Sequence, residues 1–465
     1  MEGSRLINLI ATLRKPEIRA LRKFLRSPFF NQREDVVQLF QLLTEQPVAP
    51  DKETVFAHLY PGQAYDAQQV RYAMSWLLKL IEQYLALQPY LDDRFRMQLA
   101  TVRAYRERQL PKHFAQSLRQ LQQLQENQPL RQAEYYEARF DIQLEQYQFT
   151  ASQKRLSEHN LQEVSDSLDL AFLAKKLRQA CLLRSHQAVY QRDYDFGLLD
   201  TVIQYIEERE LLSIPALAVY YHCYFALSGR EADANFKAFL ELLFQQGGLF
   251  PAHEARDLYL LALNYCIRRL NEGEENYARE GLSLYKKGLQ AGILAPGGNL
   301  SRFTYRNVVA MALKEKELEW AEHFIHLYKE CLPREHQESM FSFSLARLAY
   351  ERRQYGQVLE WLQKAEYEDL LLNLAAKTLL LKTYYELGEE ELLESHLEAM
   401  KVFLRRKEII GYHRLNYRNI IRYTHQLLRL NSHNRQAAQL LRDKIEVETV
   451  LTEKAWLLAQ LAVSS

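Results

Sequence analysis

Residues 305–333 read YRNVVAMALKEKELEWAEHFIHLYKECLP, and this stretch decides the fold. Within it, Ala321, Ile325 and Tyr328 are spaced so that all three side chains lie on one face of a helix. Pro333 ends that helix, because proline lacks an amide donor and clashes with the preceding turn. Another apolar stripe precedes Ala321. The stretch therefore predicts two helices joined by a short turn.

The same arrangement recurs along the chain. Val358 follows Ala321 after 37 residues, and Leu393 follows Val358 after 35 residues. Each of these anchor residues stands between an upstream and a downstream apolar stripe of helical spacing. Looser copies are centred upstream on Ala278, Ala234 and Gly197. A unit of this size cannot bury its apolar face alone, so neighbouring units are expected to stack.

This pattern resembles the tetratricopeptide-repeat (TPR) superfamily, whose unit combines Trp-x2-Leu-Gly-x2-Tyr, Ala-x3-Phe and a closing Pro. The matching positions are Tyr305 for Trp, Val308 and Leu345 for Leu, Ala346 for Gly, Ala321 for the small residue and Pro333 for the closing Pro. Val309 and Leu381 depart from the pattern, since the superfamily has Gly there. The resemblance implies an all-α, TPR-like solenoid that binds a protein or peptide partner.

Composition agrees with long helices and short turns. The 465 residues are 48% hydrophobic and include only 15 Gly and 12 Pro. The net charge of +1 gives no global indication of a polyanionic partner, although the first 33 residues carry a local charge of +6. The chain contains no Gly-x-x-x-x-Gly-Lys, Gly-x-Gly-x-x-Gly, Gly-x-Ser-x-Gly or His-Glu-x-x-His motif. We therefore expect a protein that is not an enzyme and has no cofactor.

The four cysteines form no Cys-x-x-Cys pair, and Cys181, Cys223 and Cys266 recur at intervals of 42 and 43 residues. This spacing predicts small core residues on equivalent helices of a reduced, cytoplasmic protein. Residues 211–229 are uncharged, a length close to that of a membrane span. Because the run falls where the repeat needs a first helix, a buried solenoid helix is expected, and no membrane partner.

A separate N-terminal helical domain is expected at 1–92, followed by the solenoid at 93–465 with a capping helix near 434–461. Residues 6–43 are predicted to be helical with a break at Ser27-Pro28. A short helix is expected at 53–59, and Asp66 is expected to cap the next helix.

Part of this region has a resemblance of its own. Leu59-Tyr60-Pro61, followed by Val70-Arg71-x-Ala73-Met74-Ser75-x-Leu77, is similar to the DNA-binding module of bacterial activators that join a winged helix to helical repeats. The resemblance implies a recognition helix with Arg71, Ser75 and Lys79 on one exposed face, and residues 84–87 as a remnant of the wing. The competing interpretation is an amphipathic helix that packs a small cap.

One group of residues has side chains of the kind that bind metal ions. His323 and His326, together with Glu322, have the spacing of neighbours on a helix. They lie opposite the apolar face of Ala321, so solvent-exposed side chains without a metal are expected.

Two functions follow as hypotheses. The first is a non-enzymatic interaction scaffold that uses the solenoid to bind a protein or peptide. The alternative is a transcriptional regulator in which the N-terminal module binds DNA and the repeats sense a partner or oligomerise.

Overall fold

The computed structural model shows an all-α protein. The structure describes residues 3–46, 50–153, 159–190, 192–364, 367, 369–406, 411–430 and 435–463. Over these ranges the chain forms 23 α-helices and no strand. It divides into two compact units, Met1–Lys175 and Lys176–Ser465.

The described part of the first unit contains eight complete helices and the beginning of a ninth. They are α1 (Arg5–Ala11), α2 (Lys15–Leu25), α3 (Glu34–Glu45), α4 (Lys52–Leu59), α5 (Ala67–Asp92), α6 (Arg94–Glu107), α7 (Pro111–Glu126), α8 (Ala133–Gln153) and α9 (Leu161–Tyr190). The division between the units falls within α9.

The described part of the second unit continues with fourteen further helices. They are α10 (Leu199–Glu208), α11 (Pro215–Ser228), α12 (Ala232–Gln246), α13 (Ala252–Asn271), α14 (Tyr277–Gln290), α15 (Arg302–Lys314), α16 (Leu318–Leu327), α17 (Arg334–Glu351), α18 (Tyr355–Gln363), α19 (Leu370–Leu387), α20 (Glu390–Arg406), α21 (Gly411–Leu428), α22 (Arg435–Val447) and α23 (Lys454–Val463).

Helix α5 is the centre of the N-terminal core. Its predicted cap is confirmed, because the Asp66 carboxylate accepts a hydrogen bond from the amide of Gln68 at 2.7 Å. Helices α1 to α4 all pack against α5. One hydrophobic core, with members from Leu6 to Tyr84, joins the five helices. The predicted boundary at 92/93 lies between α5 and α6, inside the first unit, and stays a prediction.

Two N-terminal expectations are wrong. The helix predicted from residue 6 is broken at residues 12–14, because a second helix begins there: the Arg14 amide donates to the Glu17 carboxylate at 2.7 Å, and Pro16 occupies the first turn. Residues 84–87 are not a wing. They lie within α5, where Tyr84 continues the buried apolar stripe of Leu77 and Ile81.

In the described part of the chain, seven helix pairs share one turn geometry. In each turn a residue with positive φ precedes, by five positions, an anchor that is no more than 4% exposed. These pairs of residues are Gln109 and Phe114, Gly197 and Val202, Glu231 and Phe236, Gly273 and Ala278, Lys316 and Ala321, Arg353 and Val358, and Gly388 and Leu393. The Lys316 amide donates to the carbonyl of Leu313, and the Glu317 amide donates to the carbonyl of Ala312. This pair of hydrogen bonds is the Schellman pattern of helix C-termini.

This geometry confirms four buried anchors and corrects two others. Ala278, Ala321, Val358 and Leu393 are fully buried as expected. Ala234 is exposed, and Phe236 is buried in its place, because Glu231 adds a second left-handed residue to the turn after Gly229. Gly197 is itself the turn residue, and the buried anchor of its pair is Val202.

The left-handed turns lead to a matched stability prediction. Arg353 has φ +59° although a side chain disfavours this region, whereas Gly388 has φ +70° in open space. Arg353→Gly should raise the free energy of unfolding by about 0.5–1 kcal/mol, and Gly388→Ala should lower it by about 1 kcal/mol. Urea unfolding followed by circular dichroism measures both. Arg209→Gly is the control, because Arg209 also ends a helix but has φ −95°, so this substitution should not stabilise.

Helices in the second unit also contact the next helix but one. Besides each sequential neighbour, α11 packs against α13, α15 against α17, and α17 against α19. Helices α15, α17 and α19 therefore lie side by side, and α11 lies beside α13. Tyr305 on α15 is fully buried, and its hydroxyl donates to the carbonyl of Ile325 near the end of α16 at 2.8 Å.

The uncharged run at 211–229 forms a 3-10 turn at residues 211–213 followed by α11, and nine side chains of this helix are buried. Nowhere in the described part of the chain is there a helix with the length and apolarity needed to span a membrane. Cys181, Cys223 and Cys266 are buried on α9, α11 and α13, the first helices of three successive pairs, which confirms their prediction as core residues. Cys331 is half-buried.

The expected single terminal helix is wrong. Two helices, α22 and α23, occupy this region, and the chain turns between them through Glu453, whose φ is +55°. The predicted start at Asn434 lies outside the described residues. Leu457 and Leu461 of α23 belong to the hydrophobic core that also contains side chains of α19 to α22.

Candidate binding surfaces

The predicted recognition residues share one exposed face of α5. Arg71, Ser75 and Lys79 are all exposed. However, the Arg71 Nε donates to the carbonyl of Ala67 on its own helix at 3.2 Å. The Lys79 ammonium lies 5.4 Å from the centre of the Trp76 ring, which is 41% exposed. Both cations are therefore held against α5.

An open groove of about 660 Å³ borders this face. On its wall, Arg33 contacts Asp35 through both carboxylate oxygens, at 3.1 and 2.6 Å, and the Tyr60 hydroxyl donates to Asp35 at 2.5 Å. Burial opposes ionisation of Asp35, but the hydrogen bonds from Arg33 and Tyr60 outweigh it and hold the pKa below its usual range. Burial and the Asp35 contact raise the pKa of Tyr60 to about 12. Since Asp35 neutralises Arg33, this wall adds little positive charge for DNA.

A second groove lies where α15, α17 and α19 begin, and we call it the first-helix groove. Its volume is about 730 Å³. The lining residues that matter for its chemistry are Arg302, Phe303, Arg306, Arg334, Glu335, His336, Glu338, Asp369 and Leu371. Three arginines thus face three carboxylates. Phe303 is 57% exposed and Leu371 is 37% exposed, so the groove also offers apolar contacts.

Arg302 joins the three helices across this groove. Its Nη1 lies 3.2 Å from the Asp369 carboxylate of α19 and 3.2 Å from Nε2 of His336 on α17. Asp369 also caps α19, because it accepts a hydrogen bond from the amide of Leu372 at 2.9 Å. These contacts hold together the beginnings of α15, α17 and α19, and Phe303 and Leu371 stay exposed beside them.

A third groove, which we call the arginine groove, lies between α20 and α21 and has a volume of about 610 Å³. Its lining residues are Lys401, Leu404, Arg405, Arg414, Arg418, Ile421, Arg422, His425, Gln426 and Arg429. Sequence reasoning missed this site. The available signal was local, since residues 401–429 contain eight Lys or Arg and a single Glu.

Two of the three candidate metal ligands, Glu322 and His326, contact other side chains. Glu322 accepts a hydrogen bond from Arg352 at 2.7 Å, and the His326 ring packs edge-on against Phe341. His323 is exposed. Within the described ranges, no group of three or more His, Cys, Asp or Glu side chains is arranged to hold a metal ion.

Comparison of the chain with protein-family models, curated proteins and solved structures gives no match.

Proposed function

We propose that this protein is a non-enzymatic interaction scaffold in which TPR-like helix pairs form a solenoid, and that the first-helix groove binds an extended peptide segment of a partner protein. The observation that carries the proposal is the side-by-side packing of α15, α17 and α19, whose first turns form the groove.

The repeated turns support the solenoid. From Lys316 to Gly388, each pair has a left-handed residue in the same place and a buried anchor five positions later. A chain with equivalent turns and equivalent anchors presents its first helices in the same orientation in each pair. Stacking of such pairs buries one continuous core and leaves one row of helices to line a binding surface.

The chemistry of the groove favours a peptide with mixed side chains. Phe303 and Leu371 offer apolar surface for one or two apolar anchors. Arg306 and Arg334 have no carboxylate within ion-pair distance among the described residues, so they are placed to bind acidic side chains of the ligand. Helix frameworks also hold such a site rigidly, which reduces the entropy lost on binding.

The test is selection of peptides from a random library on the full-length protein, followed by affinity measurement. We expect selected peptides to combine apolar and acidic residues. Phe303→Ala with Leu371→Ala should weaken their binding at least about tenfold, because buried apolar anchors contribute most of the energy at such interfaces.

The matched control is Leu392→Ala with Leu440→Ala, since both leucines are exposed but neither lines the groove. This control should bind the peptides as wild type does. Equal affinity of the selected peptides for the groove variant and wild type would refute the proposal, as would failure of the selection.

A further inference from the structure

The arginine groove concentrates positive charge along one helix face. Arg414, Arg418 and Arg422 follow one another on α21, Arg429 lies just past its end, and all four are exposed. At about 1.5 Å of rise per residue, this row is about 22 Å long. Across the groove, α20 contributes Lys401 and Arg405, two further cations.

Few carboxylates balance this charge. Glu398 contacts Lys401 at 2.5 Å, and Glu448 contacts Arg422 at 2.8 Å. Within the part of the chain that the structure describes, no carboxylate lies within ion-pair distance of Arg405, Arg418 or Arg429. None of the described lining residues is Asp or Glu. The groove therefore has a net positive potential and would gain from an anionic occupant.

The pKa of Glu398, the carboxylate that pairs with Lys401, responds to this potential. The hydrogen bond from Lys401 lowers the pKa of Glu398, and the charges of Lys401, His425 and Arg405 lower it further. An anion placed inside the groove would experience the same cations.

We propose that the arginine groove binds the phosphate backbone of a nucleic-acid duplex without regard to sequence. Guanidinium groups match phosphate oxygens with two parallel hydrogen bonds, and their charge persists at every physiological pH. One strand of a duplex carries a phosphate about every 3.4 Å of duplex axis, so a row of about 22 Å spans the axial rise of roughly six phosphates. A helix with arginines one turn apart at Arg414, Arg418 and Arg422 suits such a regular polyanion.

The lining distinguishes a duplex from other anions. Proteins that bind single strands stack bases on aromatic rings, and no Phe, Tyr or Trp is among the lining residues described above. A peptide with apolar anchors would need exposed apolar side chains to pack against, whereas the two aliphatic lining residues here, Leu404 and Ile421, are buried. Phosphate contacts alone carry no sequence information, so binding should be sequence-independent.

The experiment titrates the full-length protein into labelled 20-base-pair DNA and RNA duplexes of arbitrary sequence, at several salt concentrations. Arg418→Glu with Arg429→Glu is the test variant. Both residues are exposed and pair with no described carboxylate, so the fold should persist, and circular dichroism checks this. We expect at least about tenfold weaker binding, and a slope of log affinity against log salt that is shallower by about 1.8, since each phosphate contact contributes about 0.9.

Two further variants complete the test. Arg418→Gln with Arg429→Gln should show the same change in slope with a smaller loss of affinity. Arg71→Glu with Lys79→Glu, on α5, should bind as wild type does. Loss of binding in the α5 variant alone would overturn the proposal and move the nucleic-acid site to α5.

Two other anionic ligands test whether the groove prefers a duplex. Polyglutamate and a single strand of equal length should bind more weakly than the duplex. Tighter binding of polyglutamate, with the same dependence on Arg418 and Arg429, would assign the groove to an acidic protein. Tighter binding of the single strand, or no binding of any nucleic acid at 50 mM salt, would also overturn the inference. A preference between DNA and RNA duplexes would identify which source of phosphate the groove favours.

Discussion

Glu254→Ala is expected to lower the free energy of unfolding of the second unit by about 3 kcal/mol. The Glu254 side chain is buried, lies 3.3 Å from the guanidinium of Arg178, and accepts a hydrogen bond from the Tyr220 hydroxyl. Without Glu254, the Arg178 charge loses this counterion and the buried Tyr220 hydroxyl loses its acceptor. Removing one partner of a buried ion pair costs about 3–5 kcal/mol of stability. We expect the low end of this range because Arg178 is 25% exposed, so water can solvate part of its charge.

Urea unfolding followed by circular dichroism measures the effect. Glu241→Ala is the matched control, since Glu241 is exposed on α12, and it should change stability by no more than about 0.5 kcal/mol. The loss of stability in Glu254→Gln should lie between the losses in Glu254→Ala and Glu241→Ala. The amide oxygen can still accept a hydrogen bond from Tyr220, but the amide carries no charge to pair with Arg178. A loss below 1 kcal/mol in Glu254→Ala would contradict the role of this cluster.

Tyr305→Ala is expected to cost about 3–5 kcal/mol, the range for deleting a large aromatic side chain from a packed core. Tyr305 has no solvent exposure, and its ring packs against Phe324 with centroids 5.2 Å apart. Its hydroxyl also satisfies the carbonyl of Ile325, one of the last carbonyls of α16, which have no partner within their own helix.

Two companion variants separate these contributions. Tyr305→Phe keeps the ring and removes only the hydroxyl, so a loss of about 1–2 kcal/mol is expected. Phe303→Ala is the control on the same helix, because Phe303 is 57% exposed, and its effect on stability should be within about 0.5 kcal/mol. If Tyr305→Phe were as damaging as Tyr305→Ala, packing of the ring would not be the main contribution.

The helical pairs could be predicted because their information is local. Ala321, Val358 and Leu393 stand between apolar stripes of helical period, and a periodic stripe needs no knowledge of distant residues. The cap at Asp66 is local as well. The turns at Lys316 and Arg353 were invisible, since left-handed positions are usually marked by glycine and both carry long side chains.

The errors have physical causes too. Pro16 could have indicated the start of α2, because proline fits the first turn of a helix. Residues 84–87 resembled a strand only in isolation, and the tertiary contacts of Tyr84 keep them helical. At the C-terminus, no Gly or Pro stands between α22 and α23, so the usual sequence marker of a turn is missing where Glu453 turns the chain.

The candidate grooves depended on tertiary structure. The first-helix groove brings together residues from 302 to 372, whose proximity follows only once the pairs stack. The arginine groove was hidden by the near-zero net charge of the whole chain, although the spacing of Arg414, Arg418 and Arg422 already placed them on one helix face. That α20 would face them could not be read from periodicity.

The rates at which its buried thiols react can measure how often the second unit opens transiently. Burial raises the pKa of Cys266 to about 12 and raises that of Cys181 well above its ordinary value, so neither forms the reactive thiolate near neutral pH. A thiol reagent added to the folded protein should modify Cys331 first. The slower rates at which Cys181, Cys223 and Cys266 are modified would then measure how often α9, α11 and α13 become exposed. This measurement needs no added label.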